Sequence, residues 1–170
     1  MAAAGTKGSI ASFPVGDKID TTDGSYAEIQ KQLGTEVDGP KGVRYRMVQA
    51  AVADALAGRK GAYKYTIAAD YTVQLMSATT DTPCGVQRSD QATLDTIGDL
   101  FWLQIAGVAT CIDDGSGLTA GDCVTGGGAS NGEVQVQAAT SLVEFNTTVG
   151  IVLLAASADA DVTLQLRGGL

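Results

Sequence analysis

The side chains that usually perform catalysis or bind metals are sparse in this chain of 170 residues. Histidine is absent, which removes the commonest general base and the commonest metal ligand. The three cysteines, Cys84, Cys111 and Cys123, are widely spaced and form no CxxC pair. A serine or cysteine nucleophile would have only a carboxylate or a lysine as its base. The sequence therefore predicts no enzymatic activity, no metal and no cofactor, and it leaves open whether Cys111 and Cys123 form a disulfide.

Two acidic stretches share some features with calcium loops. Asp17, Asp20 and Asp23 are spaced by three, and residues 113–117 read Asp-Asp-Gly-Ser-Gly. A calcium loop needs several oxygen ligands at set positions and a closing bidentate acid, and neither stretch supplies that pattern. Solvated acids in turns are therefore the favoured interpretation of both stretches.

The glycine run and the aromatic residues indicate structure rather than ligand binding. The run at residues 126–128 lacks the Gly-Lys-Ser/Thr ending and the following helix of a phosphate-binding loop. Tyr45, Phe101 and Trp102 lie in the most hydrophobic predicted strands, which favours core packing over stacking on a ligand. We therefore expect a flexible loop at the glycine run and aromatic residues in the core.

Charge is unevenly distributed along the chain. The net charge is −8 and the pI is about 4.3, which argues against direct nucleic-acid binding. Residues 41–64 nevertheless carry six basic side chains against Asp54 alone, a net charge of +5. This segment either contacts an acidic partner surface or is a solvated basic loop, and both interpretations stay open. The longest apolar run, residues 151–156, is too short to cross a membrane. Since no secretory signal is visible, we expect synthesis in a reducing cytoplasm.

The first part of the chain differs from the rest. Residues 1–24 are rich in Gly, Ala, Ser, Thr and Asp and show no sustained hydrophobic period. This composition predicts an extended arm that becomes ordered only against another surface. A Ser-Tyr-Ala-Glu capping box then predicts a short helix near residues 25–33. A Gly-Pro-Lys-Gly turn follows. We therefore divide the chain into an N-terminal arm with a short helix, residues 1–42, and a β domain, residues 43–170.

The β domain contains an internal repeat. Val-Gln-Leu at residues 73–75 recurs as Val-Gln-Val at residues 134–136, sixty-one residues later. Leu-Gln-Ile at residues 103–105 recurs as Leu-Gln-Leu at residues 164–166 with the same offset. Between them, a glycine shared by both copies shifts by a few positions, and residues 45–49 give a fainter third echo. Repetition of strand and turn residues indicates two related β-units that share one fold.

Short strands separated by glycine-rich turns determine the predicted fold class. Residues 100–106 are the most hydrophobic candidate strand, which we expect to be central and buried on both faces. The prediction is an all-β protein: a small β-barrel or sandwich with internal β-unit duplication, preceded by the extended arm and its short helix.

Several motifs of the β domain carry a resemblance to a known family. A Trp-x-Gln-hydrophobic-x-Gly strand lies at residues 102–107, and an Ala-Gly-Asp-x-hydrophobic turn lies at residues 120–124. A Gly-hydrophobic strand at residues 150–154 and a terminal hydrophobic strand at residues 162–166 follow, while residues 82–86 form a strand before the Trp strand. This order resembles the small β-barrel decoration (cement) proteins of tailed-bacteriophage heads.

The resemblance implies a non-enzymatic protein that binds the outer surface of an icosahedral capsid and stabilises it. The implied partners are the major capsid protein and further copies of the chain in a homotrimer, without direct nucleic-acid or membrane binding. The implied location is the capsid surface of the virion, after synthesis in the host cytoplasm. Two alternatives stay open: another virion β-protein, such as a fibre base, a tail component or a minor coat protein, and a carbohydrate-binding β-module.

Two groups of residues are the predicted partner contacts. The apolar group would anchor the arm, and the basic group would meet acidic capsid or neighbour surfaces. The apolar residues are Ile10, Phe13, Val15 and Ile19, and the basic residues are Arg44, Arg46, Arg59 and Lys60.

Overall fold

The structure is a computed structural model that describes residues 17–52, 61–88, 96–127, 131–137, 144–155, 157 and 160–167. The described part of the chain is mostly β-strand with one short α-helix, so the all-β prediction is confirmed. Five of the predicted contact residues lie outside the described residues. These are Ile10, Phe13, Val15, Arg59 and Lys60.

The elements follow one another with short connections. Helix α1 spans Tyr26–Gln30, within the range predicted for a short helix. The strands are β1 (Lys18–Ile19), β2 (Glu36–Asp38), β3 (Arg44–Ala50), β4 (Ala62–Ile67), β5 (Thr72–Leu75), β6 (Pro83–Val86), β7 (Leu100–Ile112), β8 (Cys123–Gly126), β9 (Val134–Val136), β10 (Thr148–Leu154) and β11 (Asp161–Leu166).

Five strands close into a ring, which we call the first barrel. Strand β3 pairs with β5, β5 with β4, and β4 with β6. Strand β6 pairs with the first half of β7, and β7 returns to β3. Only the β3–β5 pairing is parallel. Closure pairs every strand of the ring on both sides, which removes open sheet edges, and it decides for a barrel over a sandwich.

The second half of β7 begins a second barrel. Strand β7 pairs with β11, β11 with β10, β10 with β8, and β8 with β9. A parallel bridge between Asp113, just after β7, and Val134 of β9 completes this ring. Gly107 lies at the junction of the two halves with φ of +87°. A Cβ at this position would lie 2.8 Å from the Cα of Val43, so the close approach of the chain entering β3 requires glycine.

The internal duplication is confirmed by strand register. Tyr63 pairs with Leu75 in the first barrel, and Val124 pairs with Val136 in the second, sixty-one residues later. The next pairs along the same strands also correspond. Lys64–Gln74 and Tyr65–Val73 recur as Thr125–Gln135 and Gly126–Val134.

Strand β3 is the counterpart of the second half of β7. Val48 of β3 pairs with Phe101, and Cys111 of β7 pairs with Val162. The offset is sixty-three residues between Val48 and Cys111 and sixty-one between Phe101 and Val162. Strand β7 is therefore the last strand of the first barrel and the first strand of the second.

The glycine that shifts between the two copies performs the same task in each. A Cβ on Gly85 would lie 2.6 Å from the carbonyl oxygen of Gln104. A Cβ on Gly150 would lie 2.5 Å from the carbonyl oxygen of Gln165. Both glycines therefore permit the close approach of a neighbouring strand to the repeated Leu-Gln pair.

Each barrel has its own apolar interior, as the burial of hydrophobic surface requires. The first interior contains Val48, Ala50, Tyr63, Val73, Leu75, Cys84, Phe101 and Leu103. The second contains Ala109, Cys111, Leu118, Val124, Val134, Val149, Val152, Val162, Leu164 and Leu166. Three residues of the first barrel and its adjoining loop, Ala62, Met76 and Val86, pack into the second cluster and join the two barrels.

The described part of the predicted arm, residues 17–42, packs on the outside of the first barrel. Strand β1 pairs with the start of β7, where Lys18 lies opposite Phe101 and Ile19 opposite Leu100. Ile19 is only 2% exposed. It belongs to a cluster with Ile29, Tyr45, Met47, Leu100 and Trp102. The structure thus places Ile19 against its own chain.

Candidate interaction surfaces

The Trp-x-Gln-hydrophobic-x-Gly motif stabilises the junction between the barrels. Trp102 is buried under residues 17–42. The side-chain amide of Gln104 donates hydrogen bonds to the carbonyl oxygens of Ala106, at 3.2 Å, and Val108, at 2.8 Å. These bonds bracket Gly107, where β7 passes from one barrel to the next. The polar side chain of this motif therefore forms its hydrogen bonds within its own strand.

The Ala-Gly-Asp motif forms a turn that its own carboxylate closes. Asp122 accepts hydrogen bonds from the backbone N–H of Thr119, at 2.8 Å, and from its hydroxyl, at 2.7 Å. These hydrogen bonds favour the charged form and lower the pKa of Asp122. The chain then enters β8, where the N–H of Val152 donates to the carbonyl oxygen of Asp122 at 2.9 Å.

The Asp-Asp-Gly-Ser-Gly stretch is also a turn held by its acids. The buried carboxylate of Asp113 accepts hydrogen bonds from the N–H of Gly117, at 2.8 Å, and the hydroxyl of Ser116, at 3.1 Å. The carboxylate of Asp114 accepts one from the N–H of Ser116 at 3.0 Å. Among the described residues no group of three or more acids and cysteines is arranged to hold a metal ion.

The cysteines are not joined by a disulfide. Cys111 lies in the interior of the second barrel, whereas Cys123 is exposed on β8. Cys84 is buried in the first barrel, and this burial raises the pKa of its thiol well above its usual range. Cys123 is therefore the accessible thiol of the chain.

Arg44 and Arg46 of β3 bind acids of the neighbouring strand β2. The Nε of Arg44 lies 3.1 Å from Oδ1 of Asp38, and the Nε of Arg46 lies 3.1 Å from Oε1 of Glu36. Arg46 also donates to the hydroxyl of Tyr65 at 2.6 Å and is largely buried, whereas about half of the Arg44 side chain is exposed. Part of the basic charge is thus neutralised within the chain, and Arg44 is the more accessible of the two.

A buried ion pair fastens β1 to the first barrel. The Nζ of Lys18 lies 2.8 Å from Asp20 and 3.3 Å from Oδ2 of Asp99. The Asp99 side chain is fully buried and accepts a hydrogen bond from the N–H of Thr96 at 3.2 Å. Burial raises the pKa of Asp99, against the opposing effects of Thr96 and Lys18. The chain therefore leaves the first barrel toward residues 1–16 from a fixed point.

One row of outward-facing side chains crosses four strands of the first barrel. Ala62 pairs with Val86, Val86 with Gln104, and Gln104 with Tyr45. Opposed residues on adjacent strands point to the same face, and the neighbouring Tyr63 points into the interior, so this row faces outward. All four residues are buried, with exposures from 0% to 6%. Ala62 and Val86 are covered by the second barrel.

The equivalent row of the second barrel is exposed. Cys123 pairs with Ile151, Ile151 with Gln165, and Gln165 with Val108. Ile151 is 47% exposed and Val108 is 48% exposed, and Cys123 and Gln165 are exposed as well. We call these four residues the outer row. Leu153 and Leu154 extend its apolar surface along β10.

Other outward positions of the second barrel are polar. Trp102 and Met47, which residues 17–42 cover in the first barrel, correspond to Thr163 and Thr110 in the second. The second barrel thus has threonines at positions that no helix of the described chain covers, and apolar side chains at Ile151 and Val108, whose equivalents in the first barrel are buried. The sequence did not single out these residues, although the internal repeat aligns Ile151 with the buried Val86.

No protein-family model matches the chain, and no curated protein matches it. A similar solved structure is the N base of the head fibre gp8.5 of bacteriophage phi29, with 22% sequence identity and a TM-score of 0.48. The similarity covers 78% of this chain and 95% of that chain. At this TM-score and identity the two chains are not shown to share a family. Within the described residues, no helix has the length and apolar character needed to cross a membrane.

Proposed function

We propose that the chain is a non-enzymatic structural protein of a phage virion that binds the outer surface of the icosahedral head and stabilises it. The proposed partners are the major capsid protein and two further copies of the chain. The proposal is supported by the resemblance of the motifs at residues 102–107 and 120–124 to those of head decoration proteins, and by the work that these motifs do in the fold.

The observation that carries the proposal is that the polar side chains of these motifs form hydrogen bonds within their own strand or turn. Gln104, Asp113 and Asp122 each bind groups of their own strand or turn. A catalytic group must keep bonding capacity for a substrate, whereas these side chains fix strand junctions and turns. These hydrogen bonds support a structural role for the strand and turns that carry them, and we assign the function to the outer surfaces of the protein.

The start of the chain supplies a second support. Strand β1 pairs with the start of β7 on the first barrel, and the sequence that precedes the described chain is residues 1–16. These residues include Ile10, Phe13 and Val15, whose apolar side chains would add buried area on a capsid subunit. The exposed half of the Arg44 side chain would contact an acidic capsid surface.

Binding to heads tests the proposal directly. The purified full-length chain is mixed with undecorated heads of its phage, and the particles are imaged by electron cryomicroscopy. We expect added density at regular positions on the outer surface, and heads that stay bare at saturating protein would overturn the proposal. Density confined to a tail or to a fibre attachment point would contradict decoration and support the alternative of another virion protein.

Deletion of residues 1–16 tests the role of the arm. Because β1 stays intact, we expect an unchanged melting temperature and a clear loss of occupancy on heads. A variant with Ile10, Phe13 and Val15 replaced by serine is the matched control for chain length. Full occupancy by both variants would remove the arm from the proposal.

A further inference from the structure

We propose that the outer row of the second barrel, Val108, Gln165, Ile151 and Cys123, is the docking surface for a second copy of this chain. The occupant is the β4–β5 hairpin of that copy, around Ile67. The contact would join different surfaces of the two copies, in a head-to-tail manner. This extends the self-association in the proposed function to a defined surface.

Two equivalent rows of side chains differ in burial: the row of the first barrel is covered, and the outer row of the second barrel is exposed. In the first barrel the row is at most 6% exposed, and Ala62 and Val86 lie in the apolar cluster of the second barrel. In the second barrel nothing in the described chain covers the row, and Ile151 is 47% exposed. In repeat proteins each unit buries its face on the next one, and a terminal unit normally has a polar outer face. The second barrel lacks that polar face at the outer row.

On the outside of the second barrel, apolar side chains are confined to some positions and absent from others. At the outward positions equivalent to Trp102 and Met47, the second barrel has Thr163 and Thr110. No helix of the described chain covers these two threonines. The outer row and its extension along β10, Leu153 and Leu154, stay apolar on the same barrel. A contiguous apolar patch amid polar positions is typical of a protein–protein contact.

The contact that the chain already makes identifies the occupant. The β8–β9 hairpin of the second barrel reaches the first barrel, where the N–H of Ala62 donates to Gly132 at 2.8 Å. The hydroxyl of Thr125 donates to Thr79 at 3.2 Å. The counterpart of this hairpin in the first barrel is the β4–β5 hairpin, which carries Ile67 at its tip, 52% exposed. A second copy therefore offers an exposed hairpin with an apolar tip, the counterpart of the hairpin that contacts Ala62 of the row in the first barrel.

The symmetry of such a contact has a testable consequence. A contact between two different surfaces leaves one row and one hairpin free at the ends of an assembly, and it forms a ring when the rotation between copies closes. Two variants that each lack one surface still possess one intact pair between them. Their mixture should form a dimer that stops growing.

The experiment uses the full-length chain without capsids. A negative result would therefore contradict the docking surface but not the proposed binding to capsids. Ile151→Glu disrupts the row, Ile67→Glu disrupts the hairpin, and Ala27→Glu is the control at an exposed position of helix α1, outside both surfaces. Masses are measured by sedimentation over a hundred-fold range of concentration, and circular dichroism verifies folding. We expect the wild type and the control to associate, each disrupted variant to stay monomeric, and an equimolar mixture of the two to form dimers.

The exposed thiol of Cys123 gives an independent measurement, because Cys84 and Cys111 are buried. We expect its rate of maleimide labelling to fall at least several-fold in the wild type as concentration rises, and to stay constant in Ile151→Glu. Association of Ile151→Glu at wild-type strength overturns the proposal. So does a wild type that stays monomeric with a constant labelling rate. Two results would overturn the hairpin as the occupant. One is self-association of Ile67→Glu at wild-type strength, and the other is self-association of the chain that is lost only when residues 1–16 are deleted.

Discussion

Trp102 in the first barrel and Thr163 in the second occupy equivalent positions on equivalent strands, but only Trp102 is fully buried. The interiors of the two barrels remain alike, because each needs a closed apolar core of similar size. Their outer faces differ because residues 17–42 cover one barrel and not the other. The two copies of the duplicated unit thus share an apolar interior, whereas the residue types on their outer faces differ with the burial of those faces.

The largest expected effect on the free energy of unfolding comes from truncating Trp102, which residues 17–42 cover. Trp102→Ala should destabilise the fold by about 3–5 kcal/mol, since it leaves a cavity between the first barrel and residues 17–42. Thr163→Ala, the matched change in the second barrel, should stay within about 0.5 kcal/mol. Urea denaturation measures both. A similar loss in the two variants would mean that the outer faces do not differ as the structure indicates.

The two repeated glycines should respond alike. Gly85→Ala and Gly150→Ala each place a methyl group against the carbonyl oxygen of a neighbouring strand, which should cost about 1–3 kcal/mol. The thermal unfolding of both variants gives the comparison, with Gly24→Ala as a control, because nothing lies within 4 Å of a Cβ there. Unequal costs would show that the barrels differ in their interiors as well as their outer faces.

A smaller effect depends on pH. Because burial raises the folded-state pKa of Asp99 above its unfolded value, folding disfavours the charged carboxylate. The stability of the wild type relative to Asp99→Asn should therefore be lowest at neutral pH and rise as the pH falls through the raised pKa. Chemical denaturation from pH 7 to pH 4 measures this difference. Asp161→Asn, at an exposed acid of the second barrel, is the control and should show a weaker dependence.

The smallest effect is expected at the surface. Arg44→Ala should change the free energy of unfolding by less than about 1 kcal/mol, because its pairs with Glu36 and Asp38 are exposed. Arg46→Ala should cost more, since Arg46 is largely buried and loses the hydrogen bond to Tyr65. Equal costs for the two arginines would contradict the different burial of their side chains.

The sequence was informative about the interior and the repeat. Residues 73–75 and 134–136 pair equivalently because cross-strand register follows the alternation of inward and outward side chains. The burial of the strand at residues 100–106 was also predicted correctly for Leu100 through Ile105. These features depend on local patterns, which a single sequence displays.

The surfaces were less predictable, because coverage is a tertiary property. Ile19 looked like an arm residue available to a partner, but the register of β1 on β7 buries it. The exposure of Ile151 was not visible, since a valine or isoleucine in a strand is equally suited to a core. The close approach of Gly107 to Val43, which lets β7 continue through both barrels, is also a tertiary property.

Strand β7 has a mechanical consequence. It contains 13 residues and so extends for about 40 Å, and it belongs to both rings. A force on one barrel is therefore transmitted to the other along the covalent bonds of this strand as well as across the packed interface at Ala62, Met76 and Val86. Strand β1 is hydrogen-bonded to its beginning, so tension arriving from the N-terminal residues would load β7 in shear. One continuous strand therefore connects the two barrels and the N-terminal strand β1.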